Sequence, residues 1–327
     1  MTNTRLLLGV LATVLIISSL GFIMLLVFSN PGFSIKEIAK VNTGQNTYYI
    51  QVQQDLAVVS DIDLGGLRIY NISNPNQPIE IATYVDGPAG PHDIRIKNNL
   101  VFLADRDDGL EIINISNPLK PTLISKINTG GYAWGVDIVG DLVYVADHST
   151  GLHIIDTKNL TAPKEIGNYT NRSYNCVHIA TNKIAYVTSD LGYVHLIDVS
   201  NPKNCTLVGT FNNVISPWGV TTKDDLAYIV DFSGGFKIIN TSNPSQPVEI
   251  KSINAMGACL DVFIHNDLAF ISNWREGLAI YDVSDPIDPQ FIMQYDECKE
   301  TKMVCVQNDL IYVADGYSGV RILKISS

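Results

Sequence analysis

Carboxylates recur at a fixed place along the 327-residue chain: Asp61, Asp105, Asp147, Asp231 and Asp315, with Asn273 and the Ser189-Asp190 pair where the same residue is due. An Asp or Asn in such a place can accept backbone N–H bonds across its turn. One active site does not need so many copies of a residue, so these are expected to be turn-formers. Chemistry specific to this chain must lie where the units differ. Ahead of each first apolar run stand Tyr48, His92-Asp93, Trp134, Asn175, Trp218, Leu260 and Lys302. Behind three of those runs stand Arg106-Asp107-Asp108, His148 and Trp274-Arg275-Glu276. Trp and Arg dominate interface energetics, and apolar walls with a few polar groups make a pocket. His92, Asp93, Arg106, Trp134, His148, Trp218, Trp274 and Arg275 are therefore the candidate binding residues. The plainer reading is that they fill a central channel or pack between units. His92, Asp93, Asp137, His178 and Asp261 have the chemistry for acid–base work, or for a metal held between strands. Their spacing fixes no mutual geometry. The sequence holds no phosphate loop, GxGxxG, HExxH, GxSxG or haem motif. Binding is expected rather than catalysis, with no cofactor and no metal.

The elements that position these residues come from a repeat. Segment 141–163 reads DLVYVADHSTGLHIIDTKNLTAP, and close variants begin at Asp55, Asn99 and Asp267. The glycine that ends the turn recurs at Gly66, Gly109, Gly151, Gly192, Gly235, Gly277 and Gly319, a period of 41 to 43 residues. Such a period marks a repeat architecture, so length alone does not argue for two domains. Each unit carries four strand-like runs. A short alternating run such as 134–139 precedes a tight turn. Two near-continuous apolar runs follow, as expected of strands covered on both faces. A weaker alternating run such as 122–128 follows an N-P-x-x-P turn. Repeated four-stranded meanders of this period fit the blades of a β-propeller. In that strand order the inter-unit loops and the glycine-ended turns share one rim, and the Asn-Pro turns occupy the other.

The runs LVYVAD and GLHIID and the following Asn-Pro or Asp-Pro turn resemble the LVIVD repeat, a propeller-forming family of bacterial and archaeal surface proteins. The resemblance runs from Asn30 onward. It implies architecture and leaves the ligand open. The fourth unit departs from the pattern: 188–192 shortens the turn, and Cys205 replaces the closing proline. The last unit ends before any fourth strand, whereas IAKVNTG at 38–44 matches ISKINTG at 124–130. The N-terminal strand is thus expected to complete the seventh blade and remove the open edges of the array. The expected fold is all-β, a seven-bladed propeller of four-stranded blades over 35–327, preceded by a transmembrane helix.

That helix is read from 6–28, where 16 of 23 residues are Leu, Ile, Val or Phe and none is charged. As a helix it would rise about 34 Å, enough for a hydrocarbon core of about 30 Å. It is long for a secretory signal and lacks a good cleavage site, so a retained anchor is expected, with a cleaved signal as the alternative. Arg5 abuts the apolar run while Lys36 and Lys40 are set back, which favours a short cytoplasmic tail at 1–5, a linker at 29–34 and a propeller at the cell surface. Seven N-x-S/T triplets suit an exterior location, although those at Asn71, Asn114 and Asn240 belong to the repeat. The net charge of −11 and scattered basic residues exclude nucleic acid as a partner. A protein or glycan at the cell surface is expected instead. Five cysteines show no zinc spacing. Cys259 and Cys298 are candidates for a disulfide, and burial as small apolar residues is the plainer fate.

Overall fold

The computed structural model describes residues 33–326 apart from 86, 88, 89, 171, 255 and 256. Their strands form seven antiparallel four-stranded sheets. In the third, Ala133–Val139, Leu142–Asp147, Gly151–Asp156 and Lys164–Tyr169 follow one another as a meander. The same order recurs in the first six sheets. In the seventh, Met303–Gln307, Leu310–Ala314 and Val320–Ser326 take their outer strand from the other end of the chain. That strand, Ser34–Val41, runs antiparallel to Val320–Ser326 with Glu37 opposite Leu323. The first strand of every blade touches the first strands of both neighbours, and blade 7 touches blade 1, so these strands encircle a central axis. Among the described residues no helix is long and apolar enough to cross a membrane. The segment 6–28, read above as an anchor, lies outside them.

The two middle strands of each blade are largely apolar because both their faces are covered by neighbouring blades. One apolar cluster fills each of the seven junctions. Between blades 3 and 4, for example, Tyr144, Leu152 and Ile154 pack on Val177, Val187 and Ile197. Each such side chain stabilises by about 1.5–3 kcal/mol when fully buried. Cys259, Cys298 and Cys305 are buried free thiols, and Cys176 and Cys205 are half-buried free thiols. The Cys259–Cys298 disulfide is therefore not formed, and the cysteines serve as small apolar residues.

Polar residues of the repeat hold its turns. Asp147 Oδ1 accepts from the amides of Ser149 and Thr150 in its own turn and of Tyr132 in the lead-in loop, at 2.8, 2.9 and 3.1 Å. Asp231 and Asp315 tie their lead-in loops in the same way. On the opposite face, Asn71, Asn114, Asp156, Asp198, Asn240 and Asp282 each accept from the amide two residues on. The repeat's triplet asparagines, Asn71, Asn114 and Asn240, are thus turn residues. Gly151 has φ +111°, and a Cβ there would strike the Tyr169 carbonyl of the outer strand, so only glycine fits where the turn dives under that strand. In the short fourth turn Ser189 Oγ replaces the aspartate, accepting from Leu191 N at 3.3 Å.

Candidate binding face and axial cavity

The residue that leads into each first strand reaches the mouth of the ring, and the residue after each second strand reaches it from the turn beside it. Seven of these side chains, from six of the seven blades, meet in a circuit. Tyr48 lies 5.0 Å from His92, ring centre to ring centre, and His92 stacks on Trp134 at 4.8 Å. Trp134 lies 5.9 Å from Trp218, Trp218 6.0 Å from Phe232, and Phe232 5.9 Å from Trp274. The Lys302 ammonium closes the circuit, 5.1 Å from the Trp274 ring and 5.7 Å from that of Tyr48. His148 stacks on Trp134 at 4.3 Å, so Trp134 is sandwiched between two imidazoles. The exposed Arg275 places its guanidinium 4.8 Å from the Trp274 ring.

Backbone geometry aims two of these side chains. Arg106 and Trp274 have φ of +36° and +32°, unusual for residues with side chains. Each forms an isolated bridge to the lead-in residue of the next blade, Arg106 with Ala133 and Trp274 with Thr301. The bridges hold the conformation and turn the side chains inward. Arg106 Nη2 then donates to His92 Nε2 at 3.1 Å. His92 is buried, and its pKa falls to about 3, first through burial and then through Arg106 and His148. It is a neutral imidazole with Nε2 as the acceptor.

Asp93, adjacent in sequence, faces elsewhere. Side chains two apart on the first strands turn toward the axis and line a cavity of about 230 Å³. Arg95 Nη1 binds Asp93 at 2.6 Å, and its Nε lies 3.7 Å from Asp137. His178 Nδ1 lies 3.6 Å from Asp137, and Nε2 pairs with the Thr222 hydroxyl at 2.9 Å. Asp93 accepts from Val136 N at 2.9 Å and Asp137 from Ile179 N at 2.7 Å, so each carboxylate also staples its blade to the next. Burial lifts Asp93 to about 6, against Arg95, and Asp261 to about 7. Burial also lowers His178, with Asp137 opposing.

Of the eight candidate residues, His92, Arg106, Trp134, His148, Trp218, Trp274 and Arg275 come together at the mouth, and Asp93 joins the cavity below. Of the acid–base set, Asp93, Asp137, His178 and Asp261 line the cavity while His92 does not. Sequence reasoning missed Phe232 and Arg95. Phe232 follows Asp231 as Arg106, His148 and Trp274 follow their turn residues, a register signal available in the repeat. Arg95 alternates with Ile94 and Ile96, which marks it as facing away from the apolar junction. Away from the axis, Asp105, Asp108 and Glu111 hold oxygens within 4.8 Å of one another. Lys126 lies 3.7 Å from Asp108 and 3.9 Å from Glu111, so the cluster carries its own counter-ion.

The ring of blades defines a seven-bladed β-propeller repeat protein. The LVIVD repeat matches residues 46–86, 90–129, 130–171, 181–213, 217–255 and 256–297, and the chain belongs to that family. The fourth match is the short one, in the blade with the shortened turn, and the blade closed by Ser34–Val41 lies outside the matches. No protein of curated function matches the sequence. Among solved structures, virginiamycin B lyase from Staphylococcus aureus is similar with a TM-score of 0.71 at 14% identity, over 90% of this chain and 99% of that one. A catalytically inactive variant of that lyase with quinupristin gives 0.71 at 13%, over 90% and 99%. The computationally designed Ika8 protein gives 0.67 at 10%, over 88% and 99%. At these identities the likeness is one of fold.

Proposed function

We propose that this protein is a membrane-anchored binding module of the cell surface, which contacts a protein or glycan through its inter-blade loop face. The aromatic circuit at the mouth carries this reading. Six rings and one ammonium from six blades are brought together there, five of the rings half-exposed, with exposed Arg275 beside them. Tyr132, Leu191, Ile215 and Tyr317, each between 45% and 65% exposed, extend the apolar surface over the same rim. Large aromatic and Arg side chains in such a patch suit a contact surface. The anchor rests on the apolar run 6–28 and the surface location on the charge bias that flanks it. Binding without catalysis is favoured because Asp93 and Asp137 in the cavity are committed to joining blades. A small-ligand or enzymatic use of the cavity is the second reading, supported by Asp261, lifted to about 7 in an enclosed site.

The test is attachment of the purified protein to intact cells. A Trp218→Ala, Arg275→Ala double variant should lose at least tenfold in binding. Leu119→Ser, on the Asn-Pro face, should bind as the parent does. Equal loss from both faces would remove the loop face as the contact surface.

A further inference from the structure

The charges around the axial cavity do not balance. Asp93, Asp137 and Asp261 all line it, and Arg95 is the one guanidinium or ammonium among the lining residues. His178 adds no charge, because burial favours its neutral form. Arg95 is engaged on one side of the axis, at 2.6 Å from Asp93 and 3.7 Å from Asp137 on blades 2 and 3. Asp261 stands across the axis on blade 6 and has no ion-pair partner among the described residues. It accepts from the backbone amides of Val262 and Val304, and Arg95 acts on it from farther off. Negative charge enclosed without a counter-ion is costly, and burial lifts Asp261 to about 7 in response.

A cation in the cavity would supply what Arg95 does not reach. A metal ion needs several ligand atoms converging on one point. Among the described residues, the only acidic, His or Cys groups to bring three such atoms within 4.8 Å are Asp105, Asp108 and Glu111, away from the axis. The cavity's own carboxylates are spread around the ring and form no such shell. Between them the half-exposed rings of Tyr49 and Phe263 line the wall, with Val220 and Met303. Such a wall suits carbon, and an aromatic ring attracts a cation beside it. The volume of about 230 Å³ limits the size. At the roughly 30 Å³ that one water takes up in the liquid, this is room for about eight heavy atoms. We infer that the axial cavity binds a small aliphatic amine, its ammonium group received by Asp261 and its carbon chain lying against Tyr49 and Phe263. This deepens the small-ligand reading of the cavity and does not depend on the loop face.

Calorimetric titration of the purified full-length protein with 1,4-diaminobutane, 1,4-butanediol, succinate and magnesium chloride tests it. The diamine should bind at least tenfold more tightly than the diol of the same length, and succinate should not bind. Asp261→Asn keeps an acceptor for the Val304 amide and removes the charge. It should weaken the diamine at least tenfold, with its circular dichroism compared to the parent. Where that variant does not fold, Phe263→Leu, which keeps an apolar wall, should weaken the diamine at least threefold. Unchanged diamine affinity in the folded variant overturns the inference, as does displacement of the diamine by equimolar magnesium. If the diol or succinate binds as well as the diamine, the amine is wrong and a small-ligand cavity stands. If none of the three organic probes binds, the small-ligand reading of the cavity fails with it.

Discussion

His92 shows how much one side chain's surroundings decide. A histidine ordinarily titrates near 6.5. Burial, then Arg106 and His148, push His92 down to about 3. Between those values the unfolded chain takes up a proton that the native state refuses, so this residue lowers stability as pH falls from 7. At pH 5 the loss is about 2 kcal/mol. Asp93 and Asp261 act in the opposite sense: their native values of about 6 and 7 lie above the ordinary range, so acidification favours the native state through them. The His92 contribution is therefore read by difference. His92→Gln keeps an acceptor for Arg106 and cannot titrate, so urea melts at pH 7 and pH 5 should differ by about 2 kcal/mol less than in the parent. An unchanged difference would mean that His92 titrates normally.

Among elements, the outer strands carry the least burial and the most consequence. Ser34–Val41 is joined to the last blade by its ladder and by Glu37, which accepts from Arg321 at 2.6 Å and from the Tyr295 hydroxyl at 3.3 Å. Arg321 is also bound to Asp315 at 2.6 Å, and Arg68 joins Asp61 and Glu80 in the same pattern in blade 1. Removal of the chain through residue 41 should open the ring and destabilise it strongly, to the point of lost cooperativity in a thermal melt. Glu37→Ala, which keeps the strand, should cost about 2 kcal/mol by leaving half of a buried guanidinium unpaired. A truncated protein that melts like the parent would show that the ring does not depend on this strand. The outer strand of blade 3 makes a different demand. A Cβ at Gly167 would overlap the Pro202 carbonyl in the Asn-Pro turn of blade 4. Gly167→Ala should therefore destabilise by about 1–3 kcal/mol, as overpacking does, measured as a shift in the urea midpoint with its slope kept.

At the scale of the whole molecule, the closing strand would set how the ring meets a membrane if the proposed anchor is present. Ser34 pairs with Ser326, and Ile325 bonds to Asp309 in a turn on the Asn-Pro side, so the described chain begins on that face. The residues 29–34 expected to follow the proposed anchor can extend at most about 20 Å. The Asn-Pro face should then lie toward the bilayer and the aromatic mouth away from it. Asn117, Asn201, Ser149 and Glu276 are all exposed in the propeller itself, so unequal reactivity on membranes reports the bilayer. In a background without native cysteines, Ser149→Cys and Glu276→Cys should react readily with a bulky impermeant reagent, and Asn117→Cys and Asn201→Cys poorly. The opposite ranking would turn the mouth toward the membrane.

The repeat, the strand runs and the closing strand were legible in the chain because their causes are local. Two-faced burial writes continuous apolar runs, left-handed turns demand glycine at a fixed place, and 38–44 carries the pattern of an outer strand. The face shared by Trp134, Trp218 and Trp274 followed from strand order alone. What the mouth and the cavity contain was not written locally. His92 and Asp93 are neighbours in sequence, yet one joins the aromatic circuit and the other Arg95, because successive residues on a strand point to opposite sides. Phe232 bridges Trp218 and Trp274, and Lys302 closes back on Tyr48, through contacts between blades far apart in the chain. Those separations are set by how seven sheets pack around one axis, and only the closed ring brings their side chains within reach of one another.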